Sequence, residues 1–221
     1  MPKASDGTRR TLTDNERKYI TELAETHPSG LWIKIMLYCG LRPQETATLQ
    51  WKNINFVNKI LTVDSASESL ANEIKVPKSV AGNRDIPIPE EQLKSLLEAK
   101  GKPFEYILTQ QTTGNRHTKS SMRCLWSSFK RNLNIAMGVK VYRNELIPPF
   151  AVAEYLVPYN LRHTYCTDLK DAGVPINIAR ELMGHEDIST TSRIYTHKST
   201  ESFEYAAELI NSFNKNKSKS L

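Results

Sequence analysis

The 221-residue chain carries 30 lysines and arginines against 24 aspartates and glutamates, a formal charge of +6, with 39% hydrophobic residues. That length can build one large domain or two small ones around a substantial core, and a pI near 9.1 favours a polyanionic partner, because lysine and arginine displace counterions from phosphates. Part of the excess charge lies in Lys215, Lys217 and Lys219, where a solvated tail is the simpler explanation. No apolar run approaches the length of a membrane span, and the start Met1-Pro2-Lys3-Ala4-Ser5-Asp6-Gly7 has no apolar core of a secretion signal, so the expected location is the cytoplasm, with no membrane partner. Cys39, Cys124 and Cys166 are odd in number and far apart, which supports neither a disulfide framework nor a zinc site.

In chain order, residues 1–11 are small and polar and read as a disordered leader or linker remnant. Thr13 or Asp14 caps a first helix to about Glu25, with Ile20 and Leu23 on its apolar face and His27-Pro28-Ser29-Gly30 as its stop. A second helix spans Leu31 to Cys39 and closes at Gly40. Pro43 suits the first turn of a third, expected to run to about Trp51. Ile60-Leu61-Thr62-Val63 and Asp85-Ile86-Pro87-Ile88 have strand composition and flank a Lys/Ser/Gly-rich stretch, which predicts a small antiparallel sheet. Helical patterning returns at 90–99, at 120–136, and from Pro158 to Asn214 with breaks at Gly173-Val174-Pro175 and Gly184-His185-Glu186. The fold class is therefore mainly α with a small antiparallel β-sheet (α+β), one domain over 12–200, followed by a C-terminal helix and basic tail at 201–221.

Four contexts carry chemistry: Cys39-Gly40-Leu41-Arg42-Pro43-Gln44-Glu45-Thr46, Tyr159-Asn160-Leu161-Arg162-His163-Thr164, Leu182-Met183-Gly184-His185-Glu186 and Ser192-Arg193-Ile194-Tyr195-Thr196-His197. A phosphodiester repels nucleophiles with its own charge, which grows in the transition state. A catalyst needs fixed cations around the non-bridging oxygens, and the planar guanidinium fork meets that need. Arg42 sits at a helix start, where unpaired N–H groups favour an anion, and Glu45 three residues on can turn back to orient it. Arg162 lies among residues that read as core, Tyr165, Cys166 and Leu169, so it requires a partner. Tyr195 is a candidate nucleophile; only about one phenol in a thousand is ionised at neutral pH, so its site must assist deprotonation.

Together, in order and spacing, these segments resemble the tyrosine recombinase (phage integrase) family, over about Thr11 to His197. The resemblance implies that fold family's catalytic core and a site-specific DNA recombinase. Arg42 and Arg162 would clamp the scissile phosphate of double-stranded DNA beside His185, with Tyr195 forming a 3′-phosphotyrosyl ester. It makes Lys78, in the hairpin stretch Val76-Pro77-Lys78-Ser79, the general acid for the leaving 5′ oxygen. The sequence departs from the family's His-x-x-Arg pattern at Tyr159. A phenol can donate or accept a hydrogen bond but is a poorer proton shuttle than imidazole, so a supporting role is expected there. Because the ester stores the energy of the broken bond, rejoining needs no ATP, metal or other cofactor. No Walker-type loop, His-Glu-x-x-His motif or paired acidic cluster stands in the sequence. The resemblance covers a catalytic domain only. It implies an excised fragment, monomeric by itself and working as a homotetramer on DNA in the full-length protein. Related type IB topoisomerase activity, and a degenerate DNA-binding protein, are the competing readings.

Overall fold

In the computed structural model of the chain, residues 10–67, 74–75 and 83–195 are described. Helix α1 (Asp14–Ala24) starts at Thr13, whose hydroxyl accepts the Glu16 N–H while the Glu16 carboxylate accepts the Thr13 N–H, a reciprocal capping box. The apolar sequence of α2 (Gly30–Cys39) is buried nearly all round. It ends on Gly40, whose left-handed φ of 64° only glycine adopts at little cost. The chain beyond packs a Tyr165 ring against that glycine so closely that a Cβ there would lie 2.1 Å from the ring.

Helix α3 is a single turn, Pro43–Thr46, and does not continue to Trp51 as its sequence suggests. The hydroxyls of Thr46 and Thr48 bond back to the carbonyls of Pro43 and Glu45, and the backbone is then recruited elsewhere: Ile107 N–H donates to Leu49 O and Trp51 N–H to Glu105 O. Lateral pairing thus outcompetes helix continuation. After a 3-10 turn at Trp51–Asn53, β1 (Ile54–Asn55), β2 (Ile60–Val63) and β5 (Arg84–Pro87) form an antiparallel sheet in the order β1-β2-β5. Leu61 stands opposite Ile86 and Val63 opposite Arg84. Between them, β3 (Ala66–Ser67) pairs with β4 (Ile74–Lys75).

Helix α4 (Glu90–Glu98) and the long α5 (Lys119–Ala136) cover the core, where Trp32, Trp126 and Phe129 stack edge-on and face-on. A short hairpin absent from the sequence reading follows, β6 (Val141–Tyr142) and β7 (Glu145–Leu146). Arg143 and Asn144 both take positive φ at its tip, the two-residue turn whose twist matches the strands. Helices α6 (Pro158–Asp171), α7 (Ile176–Met183) and α8 (Ile188–Tyr195) complete the described chain, with breaks at Gly173 and Gly184 where the sequence places them. Of the leader expected over 1–11, residues 1–9 lie outside the described residues, and Arg10 is tied to the fold: Asn160 donates to Arg10 O, next to where Leu12 N–H donates to Thr164 and the Leu12 side chain is buried. Among the described residues no helix is long and apolar enough to cross a membrane.

Gly40→Ala should lower stability by roughly 1–3 kcal/mol, the scale of a side chain forced to positive φ, with the Tyr165 collision pushing towards the upper end. Urea denaturation against wild type measures it.

Candidate functional site

Glu45 is the negative centre of the site. Set three residues beyond Arg42 on the single turn of α3, its carboxylate is buried and accepts from the Arg42 N–H at 2.7 Å and from Arg42 Nη1 at 2.7 Å. Arg84 grips it from β5 with both terminal nitrogens, each at 3.0 Å. Arg162 lies with its Nη1 3.9 Å from the same carboxylate. Burial alone would raise the Glu45 pKa, but hydrogen bonding and charge from Arg84, then the charges of Arg162 and Arg42, hold it down to about 2.

The second half of the cage is the C-terminus of α7, where backbone carbonyls lack helical partners and carry the negative end of the peptide dipoles. Three successive carbonyls each accept from a different arginine. Arg84 Nε donates to Leu182 O at 2.8 Å, Arg162 Nη2 donates to Met183 O, and Arg42 Nη2 donates to Gly184 O at 2.8 Å. Gly184 ends α7 at a φ of 60°, which turns its carbonyl to this use. Arg162 also donates to Gly40 O, the carbonyl at the end of α2. Burial and then repulsion from Arg42 lower the Arg162 pKa, yet a guanidinium stays charged at neutral pH. Three cations against one carboxylate leave 3 − 1 = +2 at the site. Arg84 and Arg162 are buried, whereas about a third of the Arg42 side chain is exposed, so Arg42 presents this charge to solvent.

His185 follows Gly184 directly. Burial first, then the charges of Arg162, Arg42 and Arg84, push its pKa down to about 4, so it is neutral at pH 7. Its Nδ1 lies 3.0 Å from Oγ1 of Thr191 on α8. Four residues on, Tyr195 makes no hydrogen bond through its hydroxyl to any of these arginines. Its ring packs on Tyr165, Cys166 and Met183, and its buried hydroxyl finds no hydrogen-bond partner among the described residues. Burial, then the neighbouring Cys166 and Asp171, push the phenol up to about 12.

The structure therefore brings together Arg42, Glu45, Arg162 and His185 among the residues singled out from sequence, and leaves Tyr195 one step apart. Tyr159 stands at the rim, half exposed, its hydroxyl donating to Gln44 at 3.2 Å. Lys78 and the segment 201–221 lie outside the described residues. Arg84, not singled out from sequence, donates to Glu45 and Leu182 O with all three of its guanidinium nitrogens. Its inward phase with Ile86 on β5 and Ile88 just beyond is the sequence signal of a buried arginine that needs a carboxylate. A cavity of about 460 Å³ opens beside Tyr159, floored by Trp32, Met122 and Trp126; it adjoins the charged cage without including any of its arginines. Among the described residues no three His, Cys, Asp or Glu side chains converge as metal ligands.

The family model described as "Phage integrase family" matches residues 10–202. The chain belongs to this family. Among curated proteins, this phage integrase family member is 26% identical over 212 residues to a tyrosine recombinase XerC-like protein of Caldanaerobacter subterraneus subsp. tengcongensis, covering 91% of this chain and 54% of that one. It is 26% identical over 207 residues to tyrosine recombinase XerA of Pyrococcus horikoshii, covering 94% and 63%. The chain thus spans about half to two thirds of the length of these relatives. Its fold is that of the Tn1549 transposon integrase, residues 82–397, solved in complex with circular intermediate DNA. The TM-score is 0.72 at 22% identity, over 91% of this chain and 67% of that one. The catalytic domain of bacteriophage HP1 integrase gives a TM-score of 0.53 at 19% identity, over 90% and 94%.

Replacing the central carboxylate by an isosteric amide, Glu45→Gln, should cost about 3–5 kcal/mol in urea denaturation, because buried guanidiniums lose their counter-charge. The acid branch carries a sign. A carboxylate whose pKa is lower folded than unfolded stabilises fully above its usual range, and the benefit is lost as pH falls towards about 2. Wild-type stability should drop over that window with a slope that Glu45→Gln lacks.

Proposed function

We propose that this chain is the catalytic domain of a site-specific DNA recombinase, cutting and rejoining strands of double-stranded DNA through a 3′-phosphotyrosyl intermediate. The observation that carries it is the caged +2 charge beside a neutral histidine, with a tyrosine on the next helix. Such a site stabilises the extra charge a phosphodiester gains under attack, and it does so with groups already fixed in place. Family membership and the recombinase relatives favour this reading over topoisomerase-like relaxation.

In this reading the scissile phosphate docks on the exposed edge of Arg42, with Arg162 behind it and His185 donating to a non-bridging oxygen. Tyr195 leaves its contact with Tyr165 and Cys166, gives its proton to water, and its oxygen attacks phosphorus. A phosphorus–tyrosine bond forms and the bond to the 5′ oxygen breaks. Lys78 gives that oxygen its proton and Tyr159 supports the phosphate from the rim. A 5′ hydroxyl from another strand then reverses the step, attacking phosphorus and releasing the phenol. Glu45 and Arg84 touch no DNA and hold the clamp. On DNA the reaction would proceed within a homotetramer, while this chain alone stays monomeric and binds DNA with steep salt dependence.

Incubation with duplexes of randomised sequence, nicked so that the cleaved end diffuses away, should trap a denaturation-resistant protein–DNA adduct. Tyr195→Phe should give none, and Arg42→Ala should reduce its rate by roughly a hundredfold or more. An adduct that survives Tyr195→Phe would refute the assignment of the nucleophile.

A further inference from the structure

Thr191 is fully buried on α8, one helical turn before Tyr195 and on the same face, with its hydroxyl 3.0 Å from Nδ1 of His185. Among the described residues, nothing bonds Nε2 of that ring. A neutral imidazole holds its single proton on one nitrogen or the other, and the partner of one nitrogen decides what the second can offer. A threonine hydroxyl can either donate or accept, so the surroundings choose the direction.

Those surroundings are the cationic cage: Arg162 from α6, Arg42 before α3 and Arg84 on β5, countered by Glu45 on α3. The ligand such a cage selects is an anion. Towards an anionic phosphate oxygen, Nε2 must present an N–H, since a lone pair there would repel it. Nδ1 must then be the acceptor.

We infer that Thr191 is a positioning residue whose hydroxyl donates to His185 Nδ1, fixing the Nε2-protonated tautomer that faces the phosphate and linking the helix of the nucleophile to the clamp. This rests on the proposed recombinase reading, but its first readout does not require DNA. A carbonyl could only accept a proton and would enforce the opposite tautomer; a hydroxyl can enforce this one. The same bond means that any displacement of α8 large enough to bring Tyr195 to the phosphate either carries His185 along or breaks the contact that orients it.

The test is nitrogen NMR of protein labelled at its five histidines, with His185 assigned through His185→Gln, on wild type, Thr191→Ser and Thr191→Val at pH 7. Wild type and Thr191→Ser should show a protonated Nε2 and a bare Nδ1. Thr191→Val, which keeps the shape and loses the hydroxyl, should show a mixture of tautomers. In the nicked-duplex assay, Thr191→Val should form adduct at least roughly tenfold more slowly, the scale on which removing the partner that orients a functional histidine acts, with DNA affinity unchanged and Thr191→Ser close to wild type. A wild-type ring protonated on Nδ1 overturns the inference, as does a Thr191→Val protein with unaltered tautomer and rate. Because the wild-type spectrum alone fixes the direction of the bond, a variant that fails to fold leaves the idea open to refutation. Absence of adduct from every protein, wild type included, would count against the recombinase reading while the spectra still decide the role of Thr191.

Discussion

Everything in this site depends on placing three guanidiniums around one buried carboxylate. Like charges about 5 Å apart repel by roughly 3 kcal/mol at the effective dielectric of a protein, so three arginines do not gather without a counter-charge. Glu45 supplies it, and the end of α7 supplies the rest: Leu182, Met183 and Gly184 offer consecutive carbonyls to Arg84, Arg162 and Arg42. These contacts come from β5, α6 and the approach to α3, which are distant in sequence. The carboxylate and the helix end therefore act as the clasp that closes the fold, and the charge left over is the site's capacity for an anion.

That arrangement separates rigid parts from a movable one. The cations are fixed by the Glu45 carboxylate and by helix-end carbonyls, which in the proposed reaction would spare the cost of reorganising dipoles when charge develops. Tyr195 has no such ties. Its ring rests on Tyr165, Cys166 and Met183, and among the described residues its buried hydroxyl has no hydrogen-bond partner. A buried hydroxyl without a hydrogen bond is unfavourable by about 1–3 kcal/mol, so nothing among those residues ties the phenol to this position.

Much of this was legible in the chain. Capping residues and glycines placed α1, α2, α6 and α7 closely, because Thr13, Gly40, Gly173 and Gly184 act on backbone within one turn of themselves. The sequence overstated α3, where the deciding partners, Glu105 and Ile107, lie more than fifty residues away and no local pattern announces them. It missed the β6–β7 hairpin for a related reason: Arg143 in a left-handed conformation is uncommon, and Asn144 alone is a weak turn signal. Arg42 and His185 were found because each sits next to a proline or glycine in a fixed motif, and Arg162 because it stands among residues that read as core. Arg84 was passed over because charge suggests surface, and only its phase with Ile86 and Ile88 betrays burial. Thr191 carried no signal at all until α8 was folded back onto His185.

The bond between His185 and Thr191 bears on how a rigid clamp and a mobile nucleophile can work in one reaction. If the two were independent, the tyrosine could reach the phosphate while the histidine pointed anywhere, or the reverse. With the imidazole fastened to the face of α8 that carries Tyr195, the approach of the tyrosine in the proposed reaction is coupled to the donor, which either travels with α8 or loses the bond that orients it. In the proposed reaction Glu45 would set where the phosphate sits, and α8 when it is attacked. The moving element would then be the helix whose tyrosine, among the described residues, has no hydrogen bond to hold it.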